Sequence, residues 1–179
     1  MVTSQSVYNI EKRRMMIQCE AINKRKSIRF FDKNRLIEED EIYDCLEAAT
    51  KAPSPHNRQP WGFRIVVSRE LILKISTRLA NNRWVKIAPA VIIVGMVKAD
   101  GVEKQKNYLA IGAAIENILL EAQQRGIATC WIGECMGKGL ESMLKWPPDY
   151  EVVSMIAIGY RREYKAVESS RKSVKEILI

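Results

Sequence analysis

Four short segments carry residue types whose spacing could do chemistry. The first is Arg25-Lys26-Ser27-Ile28-Arg29, three cations and a hydroxyl within five residues. Guanidinium forks match phosphate oxygens bidentately, an ammonium adds a point charge and a serine adds a short donor. The same run would serve as a solvated basic helix end, favourable beside the negative end of a helix dipole. The second is the loop Pro53 to Trp61, PSPHNRQPW. Its prolines stiffen the backbone, while Ser54, Asn57 and Gln59 offer the donors and acceptors that an imide-edged planar heterocycle requires. A rigid helix-to-strand turn would read the same way. The third runs from Gly126 to Glu134, GIATCWIGE. Its two glycines let backbone approach a ligand closely, or simply frame a core strand. The fourth is Ser170-Arg171-Lys172, preceded by Arg161, Arg162 and Lys165. Such a run reads as a solvated tail unless a ligand gathers it. His56 is the only histidine, and no partner set for nucleophilic catalysis accompanies it.

The charge is uneven in the same way. The 179 residues carry a formal +8, and residues 1–35 hold nine basic groups against three acidic ones, a local +6. A basic surplus suits nucleic acid, an anionic membrane or a phosphorylated ligand. A nucleic-acid module would interleave aromatics with the cations. Only Phe30, Phe31 and the distant Tyr8 flank them, so no nucleic-acid partner is expected. The N-terminus shows no apolar signal region, and the longest apolar stretch, Ile87 to Val97, is too short for a membrane span of roughly 20 residues. Cys19, Cys45, Cys130 and Cys135 follow no zinc or CxxC spacing, so they are expected to be reduced and no metal site is expected. These features lead to an expectation of a cytoplasmic protein that makes no membrane contact.

Helices and strands must hold the four segments in place. The pattern predicts helices over Ile10–Lys26, from Glu38 to the stop at Pro53, over Glu70–Leu79, Val102–Arg125 and Gly137–Lys145. It predicts strands over Phe63–Ser68, Val91–Val97, Ile127–Ile132 and Val152–Tyr160, with an extended EILI terminus. Ile111, Ala114, Ile115, Ile118, Leu119 and Ala122 make the helix beginning at Val102 the central, buried one. Strands and helices follow no regular βαβ rhythm, and no GxGxxG follows a strand, which disfavours a Rossmann domain. The length suits one domain over residues 1–179, of α+β class, with a central mixed sheet flanked by helices.

In content and order, the segments resemble the FMN-dependent nitroreductase family from about Ile22 to Ile177. RKSIRFF is similar to its phosphate segment, APSPHNRQPW to its first loop, GAAIENILL (Gly112 to Leu120) to its long helix, and GIATCWIG to its ring-side strand. IAIGY (Ile156 to Tyr160) precedes the tail arginine, as in that family. The resemblance implies FMN at the interface of an intertwined homodimer. It assigns Arg25, Lys26, Ser27 and Arg29 to the phosphate and ribityl chain, with Arg171 reaching the same phosphate. Pro53, Ser54, Pro55 and Asn57, and less directly Gln59, would serve the cofactor of the partner subunit. Trp131, Ile132 and Gly133 would lie along the isoalloxazine, with the Gly133 N–H near N5. Two departures are Ala110, near where the family commonly has an aspartate, and Ser169, where it often has a lysine. The implied activity is ping-pong transfer of electron pairs from NAD(P)H through the flavin to a small acceptor, a nitroaromatic or quinone, with no protein group as catalyst. Ene reduction, dehalogenation, dehydrogenation and non-catalytic flavin binding remain open on the same scaffold.

Overall fold

The computed structural model describes residues 18–134, 138–162 and 169–179. In chain order its elements are α1 (Glu20–Lys24), α2 (Glu39–Thr50), a 3-10 turn (Pro55–Asn57), β1 (Trp61–Val66), α3 (Arg69–Thr77) and a second 3-10 turn (Arg83–Ile87). Then come β2 (Ala90–Val97), α4 (Gly101–Gln124), β3 (Ala128–Ile132), α5 (Lys138–Leu144), β4 (Tyr150–Gly159) and α6 (Val174–Ile177).

Local chemistry explains the boundaries. A capping box between Glu38 and Glu41 starts α2, with Glu39, Asp40 and Glu41 at the positive end of its dipole. The Ser68 hydroxyl caps α3 by accepting from the Leu71 N–H. The 24 residues of α4 end at Gly126, whose φ of +72° suits glycine, and the Ile127 N–H closes the turn on the Ala122 carbonyl.

The strands form one four-stranded sheet in the order β1-β2-β4-β3, antiparallel at every ladder. The parallel component expected of a mixed sheet is a single bridge, Ser27 to Thr129. β2 is buried on both faces because helices cover both. Ile92, Val94 and Met96 pack against α2 and α4, while Val91 and Ile93 join Ile72, Ile75, Leu140 and Leu144 on the other side. A register shift at Val94–Gly95 lets Gly95 face Trp146; a Cβ there would fall 2.4 Å from its Cζ2. α4 is the central helix, burying Ile111, Ala114, Ile115, Ile118 and Ala122, and Asn117 ties it to α2 by donating to the Ala48 carbonyl. Among the described residues, no helix is long and apolar enough to cross a membrane.

Two element expectations change. Within the described residues, the first helix covers only Glu20–Lys24; residues 10–17 of the expected span lie outside them. The terminus is not extended at its start. Ser173 and Glu176 form a capping box that sets a short turn of helix, a local interaction that β-branched side chains do not prevent.

Candidate functional site

β3 is an edge strand, and the basic segment lies along its free edge. α1 closes with Arg25, whose N–H bonds the Ala21 carbonyl, and the chain then extends. The Ile28 N–H donates to the Thr129 carbonyl at 2.9 Å, the Asp32 N–H to the Tyr160 carbonyl, and the Arg162 N–H to the Phe30 carbonyl. Downstream, the Arg35 guanidinium sits 3.3 Å over the Tyr160 ring. The Tyr160 hydroxyl donates to Glu41, and that acceptor holds it above its ordinary range. Backbone bonds therefore tie the segment to the start of β3 at Ile28 and to the chain leaving β4 at Phe30 and Asp32.

An extended chain sends alternate residues apart, and the cluster divides accordingly. Ser27 is bridged to Thr129, next to Cys130, and the Arg25 and Arg29 charges act on the same thiol. Burial pushes that thiol up, and the Arg29 charge, the Ser27 hydroxyl and the Arg25 charge oppose the shift. Lys26 instead joins Ile28, Lys24, Gly126 and Arg161 in lining a separate cleft of about 510 Å³. Arg25 is steadied by Glu116 of α4 at 3.6 Å, and the Arg29 guanidinium lies 6.0 Å over the Trp84 ring.

Further along β3, the three expected ring-side residues differ in what they present. Trp131 is 43% exposed, and its indole N–H donates to the Ser154 hydroxyl, which in turn donates to the Ile132 carbonyl. The Ile132 side chain is buried with Cys130 and Met155, so it offers a site only its backbone. Gly133 is exposed, and an added Cβ would meet nothing within 4 Å. The next residue, Glu134, accepts from the N–H groups of Ala80 and Asn81 and from the Asn82 side chain. The Asn81 N–H leads in holding its carboxyl below the usual range.

The Pro53–Gln59 loop is internally braced. Ser54 accepts from the Gln59 N–H at 3.0 Å, and the Asn57 N–H bonds the Ser54 carbonyl. His56, Asn57 and Gln59 all have φ near +50°, where non-glycine residues are uncommon and strain gathers at functional sites. Pro53, Asn57 and Gln59 are exposed, while Ser54 and Pro55 are half-buried. Arg58 anchors the loop to Glu103 at 2.6 Å. Glu103 and Glu116 are thirteen residues apart on α4, which puts the two anchors about 20 Å apart along its axis. Within one chain, the structure thus brings Arg25, Ser27 and Arg29 to β3 but holds the loop at the other end of α4. Arg171 is exposed and donates to the neighbouring Ser170 carbonyl.

Arg25, Ser27 and Arg29 are a donor set suited to a phosphate monoester, and Gly133 leaves room for a flat ring against backbone. These features fit FMN. Sequence reasoning missed Glu116, Trp84, Asn82 and the clamp made by Glu134. Nothing local signals them, since Glu134 meets partners 52 to 54 residues away. Among the described residues, no group of three His, Cys, Asp or Glu side chains is placed to hold a metal.

Residues 22–160 match the family model described as the Nitroreductase family. A relative from Archaeoglobus fulgidus, named an NADH dehydrogenase/NAD(P)H nitroreductase, is 35% identical over 84% of this chain and 89% of its own. A nitroreductase family protein from Clostridium novyi aligns with a TM-score of 0.75 at 29% identity, over 83% of this chain and 87% of that one. A structure from Desulfovibrio desulfuricans, named a nitroreductase in complex with FMN, aligns with a TM-score of 0.80 at 26% identity, over 89% and 94% of the two chains. With the sheet, its basic edge and the order of its motifs in place, the chain belongs to the Nitroreductase family.

Proposed function

We propose that this protein is an FMN-dependent oxidoreductase that passes electron pairs from NAD(P)H to a small organic acceptor, a nitroaromatic or quinone, as one FMN-binding domain in a homodimer. One observation carries the reading. Arg25, Ser27 and Arg29 lie on the extended segment that the Ser27–Thr129 bridge and the Ile28 N–H hold against the start of β3, while Gly133 lies open past its end. Thr129, bridged to Ser27, and Gly133 are four residues apart, roughly 13 Å along a strand, a span that suits a ribityl phosphate and the near part of a flavin ring.

Bound FMN supplies the redox chemistry, taking and giving a hydride at N5. The protein's part is to bind and orient. Arg25 and Arg29 neutralise the phosphate, with Ser27 donating and Arg171 assisting from the tail. Lys26 belongs to this site as a more distant charge, since it lines the neighbouring cleft. Trp131 and the Ile132 backbone would border the ring, and the Gly133 N–H would offer it a fixed dipole. With FMN bound, reductant and acceptor would use the same open side of the site in turn, so steady-state lines are expected to be parallel.

Pro53, Ser54, Pro55, Asn57 and Gln59 serve the cofactor of the partner subunit. Their distance from the basic segment within one chain supports this. So do apolar side chains left in the open: Leu109 is 77% exposed on α4, and Val102, Val174, Ile177 and Leu178 are exposed as well. The spacing of Cys19, Cys45, Cys130 and Cys135, which follows no disulfide framework, favours a reducing, cytoplasmic setting.

Anaerobic addition of NADH or NADPH to the yellow protein tests the reading. Bleaching of the flavin, followed by reoxidation with menadione or nitrofurazone, is the expected result. A flavin that no nicotinamide reduces would leave a binding protein without turnover, and a chain that takes up no FMN would end the proposal.

A further inference from the structure

The end of β3 is held by a connected set of groups that the proposed chemistry does not require. Glu134 Oε1 accepts from the Ala80 N–H at 2.7 Å and the Asn81 N–H at 3.0 Å, while Oε2 accepts from the Asn81 N–H at 3.1 Å and from Asn82 Nδ2. Asn82 Oδ1 then accepts from Trp84 Nε1 at 3.0 Å. The Trp84 ring stacks on Phe31 with centroids 6.3 Å apart and carries the Arg29 guanidinium on its face. The path begins one residue from Gly133 and ends at a cation of the basic segment. Its members come from three parts of the chain: the 27–31 segment, the 80–84 turn and the strand end.

We infer that Glu134 is a positioning residue. Through Asn82 and Trp84 it fixes the spacing between the Gly133 amide and the Arg29 guanidinium, and so matches both ends of the site to one FMN molecule. A loop end carrying an exposed glycine would otherwise sample many backbone conformations. Two N–H groups and a carboxamide converging on one carboxylate remove that freedom more firmly than neutral bonds would, because hydrogen bonds to an ionised acceptor are the stronger kind. The carboxyl held below its usual range agrees with an ionised, fully engaged acceptor. Two-point binding makes the spacing matter. A ligand held at its phosphate and at its ring gains from both only when the two sets of donors are preorganised at the right separation.

The inference rests on the FMN reading above, and the test separates the two. Glu134→Gln keeps the shape but replaces one carboxylate oxygen with a donor facing other donors. Apo wild-type and variant proteins are titrated with FMN, and the midpoint potential of each bound flavin is measured against a dye couple. The expected result is an FMN Kd raised about tenfold, the effect of roughly 1.4 kcal/mol, with apo melting temperatures within a few degrees. Oxidised N5 accepts a hydrogen bond, whereas reduced N5 carries its own hydrogen. Loosening the Gly133 donor therefore weakens the oxidised form more, and the potential rises by up to about 30 mV if the whole tenfold loss falls there. Glu134→Asp restores part of both. Trp84→Phe, which keeps an aromatic ring against Phe31 but deletes the donor to Asn82, raises the Kd about fivefold, the scale of one hydrogen bond. It decides the matter if Glu134→Gln does not fold. Wild-type affinity and potential in Glu134→Gln, or in Trp84→Phe as the fallback, overturn the positioning role of Glu134 and leave the FMN reading intact. A wild-type chain that binds no FMN overturns both.

Discussion

At the scale of single residues, alternation along the extended 25–29 segment decides what each cation can do. Ser27 is bridged to Thr129 and Arg29 lies over the Trp84 ring, while Lys26 lines the neighbouring cleft. Arg29→Ala is expected to weaken FMN binding about 10- to 100-fold, the range for losing a hydrogen bond to a charged group. Lys26→Ala should cost less than about threefold, as for a screened, more distant charge. Quenching of FMN fluorescence by the apoprotein measures both, and equal losses would contradict the division. The carboxylate of Glu134 adds a pH dependence. Its folded value lies below the ordinary 4.5, so its hold on the 80–82 turn is complete above that value. The hold is lost as the pH falls through the depressed folded value. Exchange of the Asn81 amide, corrected for its intrinsic rate, should therefore lose protection only in acid below 4.5, and protection unchanged there would refute the clamp. The thiols follow burial: Cys45 is pushed up to about 12 by desolvation, whereas Cys19 is exposed. A disulfide reagent at pH 8 is expected to modify Cys19 in the native protein and leave Cys45 untouched until denaturant is added.

At the scale of elements, α4 and the sheet are the frame from which the site hangs. One end of α4 steadies Arg25 through Glu116, and the other holds the loop through Glu103. Its inner face is close-packed, so Ile115→Ala, at a fully buried position, should lower unfolding free energy by about 2–5 kcal/mol through lost transfer energy and a residual cavity. Urea denaturation of the apoprotein measures this. Gly95→Ala tests the opposite fault. Its new Cβ would lie 2.4 Å from the Trp146 ring, and overpacking of this kind costs about 1–3 kcal/mol. A neutral result would mean that Trp146 can move aside despite the Arg64 guanidinium stacked on it at 4.8 Å.

At the scale of the whole molecule, the chain is half of the proposed site twice over. The salt-bridge anchors of the basic edge and of the proline-bracketed loop lie about 20 Å apart along α4, a separation that favours the loop serving the partner's cofactor. In the proposed dimer, Arg29→Ala and Asn57→Ala each impair both sites. A mixed dimer of the two variants recovers one intact site, with Arg29 from one protomer and Asn57 from the other. Refolding the two variants together should therefore restore one wild-type-affinity FMN site per mixed dimer, a tight-binding class that neither variant shows alone. No recovery, with mixed dimers demonstrated, would assign the loop to its own chain. Leu109→Glu places a charge on the exposed stripe of α4 and should shift the protein towards monomer in sedimentation, with loss of FMN.

The amino-acid sequence by itself determined the α+β class, the position of the central helix and the order of the four chemical segments. Those depend on local periodicity, caps and prolines, which act over a few residues. Ile111 to Ala122 had to be buried because their spacing makes one apolar face, and Gly126 had to end the helix because its backbone turns left-handed there. The sequence also named Arg25, Ser27, Arg29, Trp131 and Gly133 as candidates. It could not divide Lys26 from its neighbours, because which way an alternating side chain points depends on the edge of β3 it is laid against. Nor could it show that Glu134 reaches back to Ala80, Asn81 and Asn82, or that Trp84 carries Arg29. Those contacts join residues more than fifty positions apart. Only the folding of the 80–84 turn and the basic segment around one strand end decides that they meet.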